Sequence, residues 1–103
     1  MINIWLDDIR PAPEGFVWVK TVEDIIDLWS RCVFDTKERI NTISLDNDLG
    51  EGIQEGYKFL DYIESRIVLY SDPLPNEIKV HSANPVARKR MNQIINKLYG
   101  RSC

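Results

Sequence analysis

The chain has 103 residues, with 13 Lys and Arg against 16 Asp and Glu and a formal charge of −3, which suits one hydrophobic core and a single domain over residues 1–103. Hydrophobic residues at 44% and charged residues at 28% exclude a disordered or low-complexity chain, and the acidic balance excludes an extended nucleic-acid footprint, which needs a net basic face. No apolar run approaches the roughly 18 residues of a membrane span, and Met1-Ile2-Asn3-Ile4-Trp5 lacks the basic start of a secretory leader, so a cytoplasmic location without membrane contact is expected. Cys32 and Cys103 match neither a disulfide framework nor a zinc motif, and both are expected to be reduced thiols.

Ile2 to Leu6 reads as a short buried strand stopped by Asp7-Asp8, after which Pro11, Pro13 and Gly15 prevent a helix. Phe16 to Val19 is a second strand. Thr21 caps the helix that follows, whose buried face is Val22, Ile25, Ile26, Trp29, Cys32 and Val33. A third strand, Thr42 to Leu45, stops at Asp46-Asn47-Asp48, and Gly50 and Gly52 lead into a helix through Tyr57, Leu60, Ile63, Ile67 and Tyr70 that Pro73 and Pro75 end. Ile78 to Val80 is a fourth strand. Asn84 as N-cap and Pro85 at the first helical position then start a last helix with Ala87, Met91, Ile94, Ile95 and Leu98 facing a core.

This alternation predicts a three-layer α/β fold, a mainly parallel four-stranded sheet with about three helices on both faces. The strands beginning at Ile2 and ending at Leu45 are the most continuously apolar and are expected side by side in its centre. The segment from Ile9 to Gly15 is shorter than a usual crossover of about 10–12 residues. Either it crosses the sheet as an extended segment or the first strand pair is antiparallel, and only the parallel arrangement gathers Asp7, Asp8, Asp46, Asp48, His81 and Ser82 at one carboxyl edge, where such sheets bind ligands. Trp5, Trp18 and Trp29 are expected in the core rather than on a base-stacking platform.

Four carboxylates at two strand ends are hard oxygen ligands suited to Mg²⁺ or Mn²⁺; alternatively, one aspartate of each pair caps a turn and the other is solvated. His81, the only histidine, has the ordinary pKa of an acid or base near neutral pH, although a lone histidine is often structural. It precedes a helix N-terminus whose free amides can hold an anion. Arg88, Lys89 and Arg90 sit in the first turns of that helix, where the macrodipole disfavours cations, so they are either a solvated basic patch or the neighbours of something anionic. Arg88 is the best placed for bidentate phosphate contact. Arg10 either does the same or bridges the aspartates and holds their loop.

Leu6-Asp7-Asp8-Ile9-Arg10-Pro11-Ala12-Pro13, Ser44-Leu45-Asp46-Asn47-Asp48-Leu49-Gly50 and Val80-His81-Ser82-Ala83-Asn84-Pro85 together resemble the signatures of the cyclic-phosphate-processing receiver-like domains, a derivative of the response-regulator receiver fold. The resemblance spans about residues 3 to 98. It implies that Asp7 and Asp8 are the family's paired acidic residues, Asp46 and Asp48 its second acidic motif, and His81, Ser82 and Asn84 its histidine motif. The family often has histidine where this chain has Asn47 and glycine where it has Ala87, so the resemblance assigns Asn47 no role. A phosphorelay receiver also needs a lysine ending a fifth strand, which the residues after Tyr99 do not supply, and no conventional phosphosignalling is expected.

The function that follows is a metal-dependent phosphoesterase opening a cyclic phosphate, with Asp7, Asp8 and Asp46 on the cation. His81 and Asp48 are its catalytic residues, and Arg10, Ser82, Asn84 and Arg88 bind a phosphate-containing small molecule or an RNA end. Asp46-Asn47-Asp48-Leu49-Gly50 also resembles a haloacid-dehalogenase-like phosphatase motif, which would make Asp46 a covalent nucleophile; that chemistry needs a cap and further motifs for which this length leaves little room. The non-enzyme alternative is a receiver-derived interaction module whose acidic edge is a relic.

Overall fold

The computed structural model describes residues 1–100 apart from residues 51, 53 and 54; the expected Cys103 thiol and the missing fifth strand fall outside these residues. The elements are β1 (Ile2–Leu6), β2 (Phe16–Val19), α1 (Val22–Ser30), β3 (Ile40–Leu45), α2 (Tyr57–Tyr70), β4 (Glu77–Val80) and α3 (Pro85–Leu98). A π-helical turn over Arg31–Thr36 extends α1 until Lys37, at φ 57°, ends it. The caps are those the residue types favour: Thr21 Oγ1 accepts from Asp24 N, and Asn84 Oδ1 accepts from Val86 N and Ala87 N with Pro85 at the helix start.

All strand pairs are parallel, in the order β2-β1-β3-β4, so β1 and β3 are central as expected. The first connection is the extended crossing. Nine residues, 7 to 15, reach about 30 Å, enough to return along a five-residue strand of about 17 Å without a helix. Trp5 Nε1 pins the crossing by donating to Arg10 O at 2.9 Å.

The register sets two different sheet faces. Ile4, Leu6, Ile43, Leu45 and Ile78 share one face and form a single apolar core with Ile25 and Trp29 of α1, Phe59, Leu60 and Ile63 of α2, and Met91 and Ile95 of α3. The other face carries Asn3, Trp5, Thr42 and Ser44, with the exposed Glu77–Lys79 ion pair at its edge.

Helices expected on both faces therefore lie on one, with α1 touching α2 and α2 touching α3. The physical reason is handedness. The steps from β2 to β3 and from β3 to β4 run in the same direction across the sheet, so right-handed crossovers put their helices on the same side. The step from β1 to β2 runs the other way and would put a helix on the opposite face, but Pro11 and Pro13 make it a loop.

The tryptophan expectation is corrected for the same reason. Trp29 is fully buried, whereas Trp18 is 39% exposed and Trp5 half-buried, because both point to the face without helices. Cys32 is a buried free thiol packed in the core, and burial pushes its pKa up, which leaves it unreactive.

Candidate functional site

Leu6, Leu45 and Val80 are register partners, so the residues that follow them emerge side by side. The ladder continues one residue past the strands, with Asp46 N donating to Leu6 O and His81 N to Leu45 O, both at 2.9 Å. Asp7, Asp46 and His81 thereby meet at the carboxyl edge, and Asp8 joins them. One carboxylate oxygen each from Asp7, Asp8 and Asp46 lies within 4.8 Å of the others.

The three carboxylates are not equivalent. Asp7 accepts from Ile9 N and Arg10 N at Oδ1 and from Arg10 Nε (2.8 Å) and His81 Nε2 (3.1 Å) at Oδ2. Burial alone would raise its pKa, but these amides and the guanidinium more than offset that and hold it below the usual value. Asp46 receives one hydrogen bond among the described residues, from Asn47 N, and a 3.5 Å contact from Arg10 Nη2. Burial and then the charge of Asp7 push its pKa up. Asp8 has no hydrogen-bond or ion-pair partner among the described residues, so its carboxylate is the most available of the three.

His81 is held on three sides. Its ring stacks on Trp5 with centroids 3.7 Å apart and planes 3° from parallel, its Nδ1 lies 2.7 Å from Ser44 Oγ, and its Nε2 faces Asp7. Burial lowers its pKa despite the pull of the Asp7 hydrogen bond, so the ring is neutral at pH 7. An ionised Asp7 only accepts, which assigns the ring proton to Nε2 and makes Nδ1 the acceptor of the Ser44 hydroxyl.

A pH dependence follows. The folded pKa of His81 is below its unfolded value of about 6.5, so its contribution is full above about pH 6.5 and lost as pH falls through the folded value. Asp7, also lowered, adds a loss only below about pH 4. Asp46 is raised, so its contribution is full below about pH 3.8 and lost as pH rises through its folded value. Because Asp46 works in the opposite direction, the wild type is expected to lose stability relative to His81→Ala as pH drops below 6.5 in melting curves without divalent cations, the variant showing a flatter fall. An equal slope in the variant would contradict the assignment.

The other expected residues form a second group around the start of α3. Asn84 Oδ1 takes the amides of Val86 and Ala87, Ser82 Oγ accepts from Asn84 N at 3.2 Å, and Arg88 Nη1 donates to Ser82 O at 3.1 Å. The Val86 and Ala87 amides expected to hold an anion are therefore satisfied from within the chain, and Arg88 is exposed with Nη1 on Ser82 O. Arg90 stacks on Tyr57 instead, its guanidinium carbon 4.4 Å from the ring centroid. Arg10 does bridge the aspartates. Asp48 is exposed, touched at 3.5 Å by the Asn47 amide.

Three contributors went unassigned in the sequence: Ser44 and Trp5, which seat His81, and Asn47. The last is buried and ties the loop to α2, donating to Glu55 at 2.8 Å and accepting from Gly56 N and Tyr57 N. Asn41, Thr42 and Ser44 are all polar residues of this central strand, and Ser44 is the one nearest the acidic motif that starts at Asp46.

Acidic pairs ending β1 and β3, a histidine ending β4 and a helix starting on Asn-Pro make one ordered set of strand ends. The family model described as cyclic-phosphate processing Receiver domain matches residues 2–97. The chain belongs to this family. The match covers every element from β1 nearly to the end of α3, and the fold is receiver-like, a parallel four-stranded sheet with three helices. No curated protein and no solved structure matches the chain. As a cyclic-phosphate-processing receiver domain it is associated with phosphate-containing substrates, and none of its described helices is long and apolar enough to cross a membrane.

Proposed function

We propose that this receiver domain is a metal-dependent phosphoesterase that adds water across one P–O bond of a cyclic phosphate, leaving a monoester and a free hydroxyl. Its substrate is a cyclic nucleotide or the 2′,3′-cyclic phosphate end of an RNA, met in the cytoplasm. The convergence of Asp7, Asp8 and Asp46 within 4.8 Å carries this reading. The set fits a cation: all donors are hard oxygens suited to Mg²⁺ or Mn²⁺, Asp8 is unpartnered among the described residues, and buried Asp46 accepts only one hydrogen bond among them.

Asp7, Asp8 and Asp46 would hold a divalent cation, which when bound would supply polarisation of a phosphoryl oxygen and activation of water. His81 keeps Asp7 in place; with both ring nitrogens engaged, exchanging a proton with substrate would require Nε2 to leave Asp7, so we assign His81 positioning and give proton acceptance from water to the exposed Asp48. Exposed Arg88 would bind non-bridging oxygens, while Ser82 and Asn84 shape the loop that holds its Nη1. Trp18, 39% exposed on the sheet face that carries no helix, favours a second reading as an interaction module without turnover.

Turnover separates the two. Purified protein is assayed on cyclic mononucleotides, cyclic dinucleotides and RNA with a 2′,3′-cyclic phosphate end, with and without Mg²⁺ or Mn²⁺; product only with metal is expected, and none under any condition leaves the interaction module. Asp46→Asn is expected to raise the melting temperature of metal-free protein, by about 4–8 °C for each kcal/mol of repulsion with Asp7 removed, and to abolish most of the Mg²⁺-induced shift. An unchanged Mg²⁺ shift in this variant would sink the metal assignment.

A further inference from the structure

We infer that Arg10 is an internal counter-ion, seated between Asp7 and Asp46 until a divalent cation displaces its guanidinium, which then binds the substrate phosphate. The inference rests on the metal-dependent reading above. Its Nε lies 2.8 Å from Asp7 Oδ2, its Nη2 lies 3.5 Å from Asp46 Oδ2, and Nη2 also donates to His81 O at 3.2 Å. One guanidinium thus spans two of the three carboxylates that converge on the candidate metal position.

Metal and guanidinium compete for the same oxygens. Asp7 Oδ2 already accepts from Arg10 Nε and His81 Nε2, and its Oδ1 accepts two backbone amides, so a cation reaches Asp7 most directly by taking the place of the guanidinium. The exchange asks little of the fold. The Arg10 side chain is 49% exposed, and its backbone stays anchored because Arg10 N donates to the other Asp7 oxygen. A released guanidinium would remain tethered two residues from Asp8, at the rim of the metal position. Its planar fork matches a phosphate better than a point charge would.

Charge bookkeeping supports the cycle: the guanidinium leaves carboxylates whose charge the cation now balances and meets a phosphate whose charge it can balance. Cation and phosphate should then bind cooperatively in the wild-type chain, each raising the affinity of the other by the same factor.

Calorimetric titration of Mg²⁺ into wild type and Arg10→Gln, with and without inorganic phosphate, tests this. Arg10→Gln is expected to bind Mg²⁺ about tenfold more tightly without phosphate, since a competing positive charge a few ångströms away is gone, and to lose most of the strengthening that phosphate gives the wild type. In wild type, the Arg10 Nε–H resonance should move on Mg²⁺ addition as its hydrogen bond to Asp7 breaks. Arg10→Lys, which keeps the charge but cannot span both carboxylates, should fall between the two affinities and carries the test if Arg10→Gln fails to fold without metal. Equal or weaker Mg²⁺ binding in the variants, or a stationary Nε–H signal in saturated wild type, overturns the inference and leaves the metal reading standing. Failure of every chain to bind Mg²⁺ overturns both.

Discussion

His81→Ala is expected to lower metal-dependent turnover and Mg²⁺ affinity together, each by about 10–100-fold, the usual cost of losing a group that orients a metal ligand. The reason is the chain of contacts from Ser44 Oγ through the imidazole to Asp7 Oδ2, closed by the flat stack on Trp5. Without the ring, Asp7 keeps its two amides and Arg10, but Oδ2 loses one of its two donors and is held by the guanidinium alone. His81→Gln should recover part of the loss, because a side-chain amide can still donate to Asp7. A proton-transfer role predicts something different: a loss of about 10²–10⁴-fold in turnover, Mg²⁺ affinity unchanged, no rescue by Gln, and a missing limb in the pH–rate profile. Parallel measurement of turnover and Mg²⁺ affinity in the two variants decides between these outcomes.

Gly56→Ala is expected to be the most destabilising single change outside the apolar core. Gly56 sits in ordinary right-handed conformation at φ −59° and ψ −29°, so backbone strain is not the reason for glycine. The reason is contact: a Cβ there would collide with the carbonyl oxygen of Asp46. Neither side can yield easily. Gly56 N is bonded to Asn47 O at 2.9 Å, α2 is anchored by fully buried Phe59, Leu60 and Ile63, and Asp46 N is bonded into the sheet. A cost of about 3 kcal/mol, at the upper end for overpacking, corresponds to a fall of about 12–24 °C in melting temperature for a domain of this size. Mg²⁺ should also stabilise the variant less than wild type, since the displaced group is the backbone of a candidate ligand. Melting close to the wild-type temperature would show that the approach of α2 to Asp46 is not tight.

Strands, helices and caps were legible because each depends on neighbours in the chain. The apolar runs Ile2 to Leu6 and Thr42 to Leu45 that stop at aspartates, the 3.6-residue spacing through Val22, Ile25 and Trp29, and the Asn84-Pro85 start are local signals, and each produced the element it favours. The direction of the first strand pair stayed open in the sequence, and the parallel pairing found in the structure is what brings Asp7, Asp8 and Asp46 together. Tertiary structure alone decided three further things. Two right-handed crossovers in the same direction put every helix on one face, which brought Trp5 and Trp18 out of the expected core. Stacking on Trp5 and bonding to Ser44 turned His81 toward Asp7, and the guanidinium of Arg10 settled between two carboxylates. Sequence patterns record which face a residue prefers to bury, whereas the partner of a polar side chain depends on which distant strand ends the sheet sets beside it.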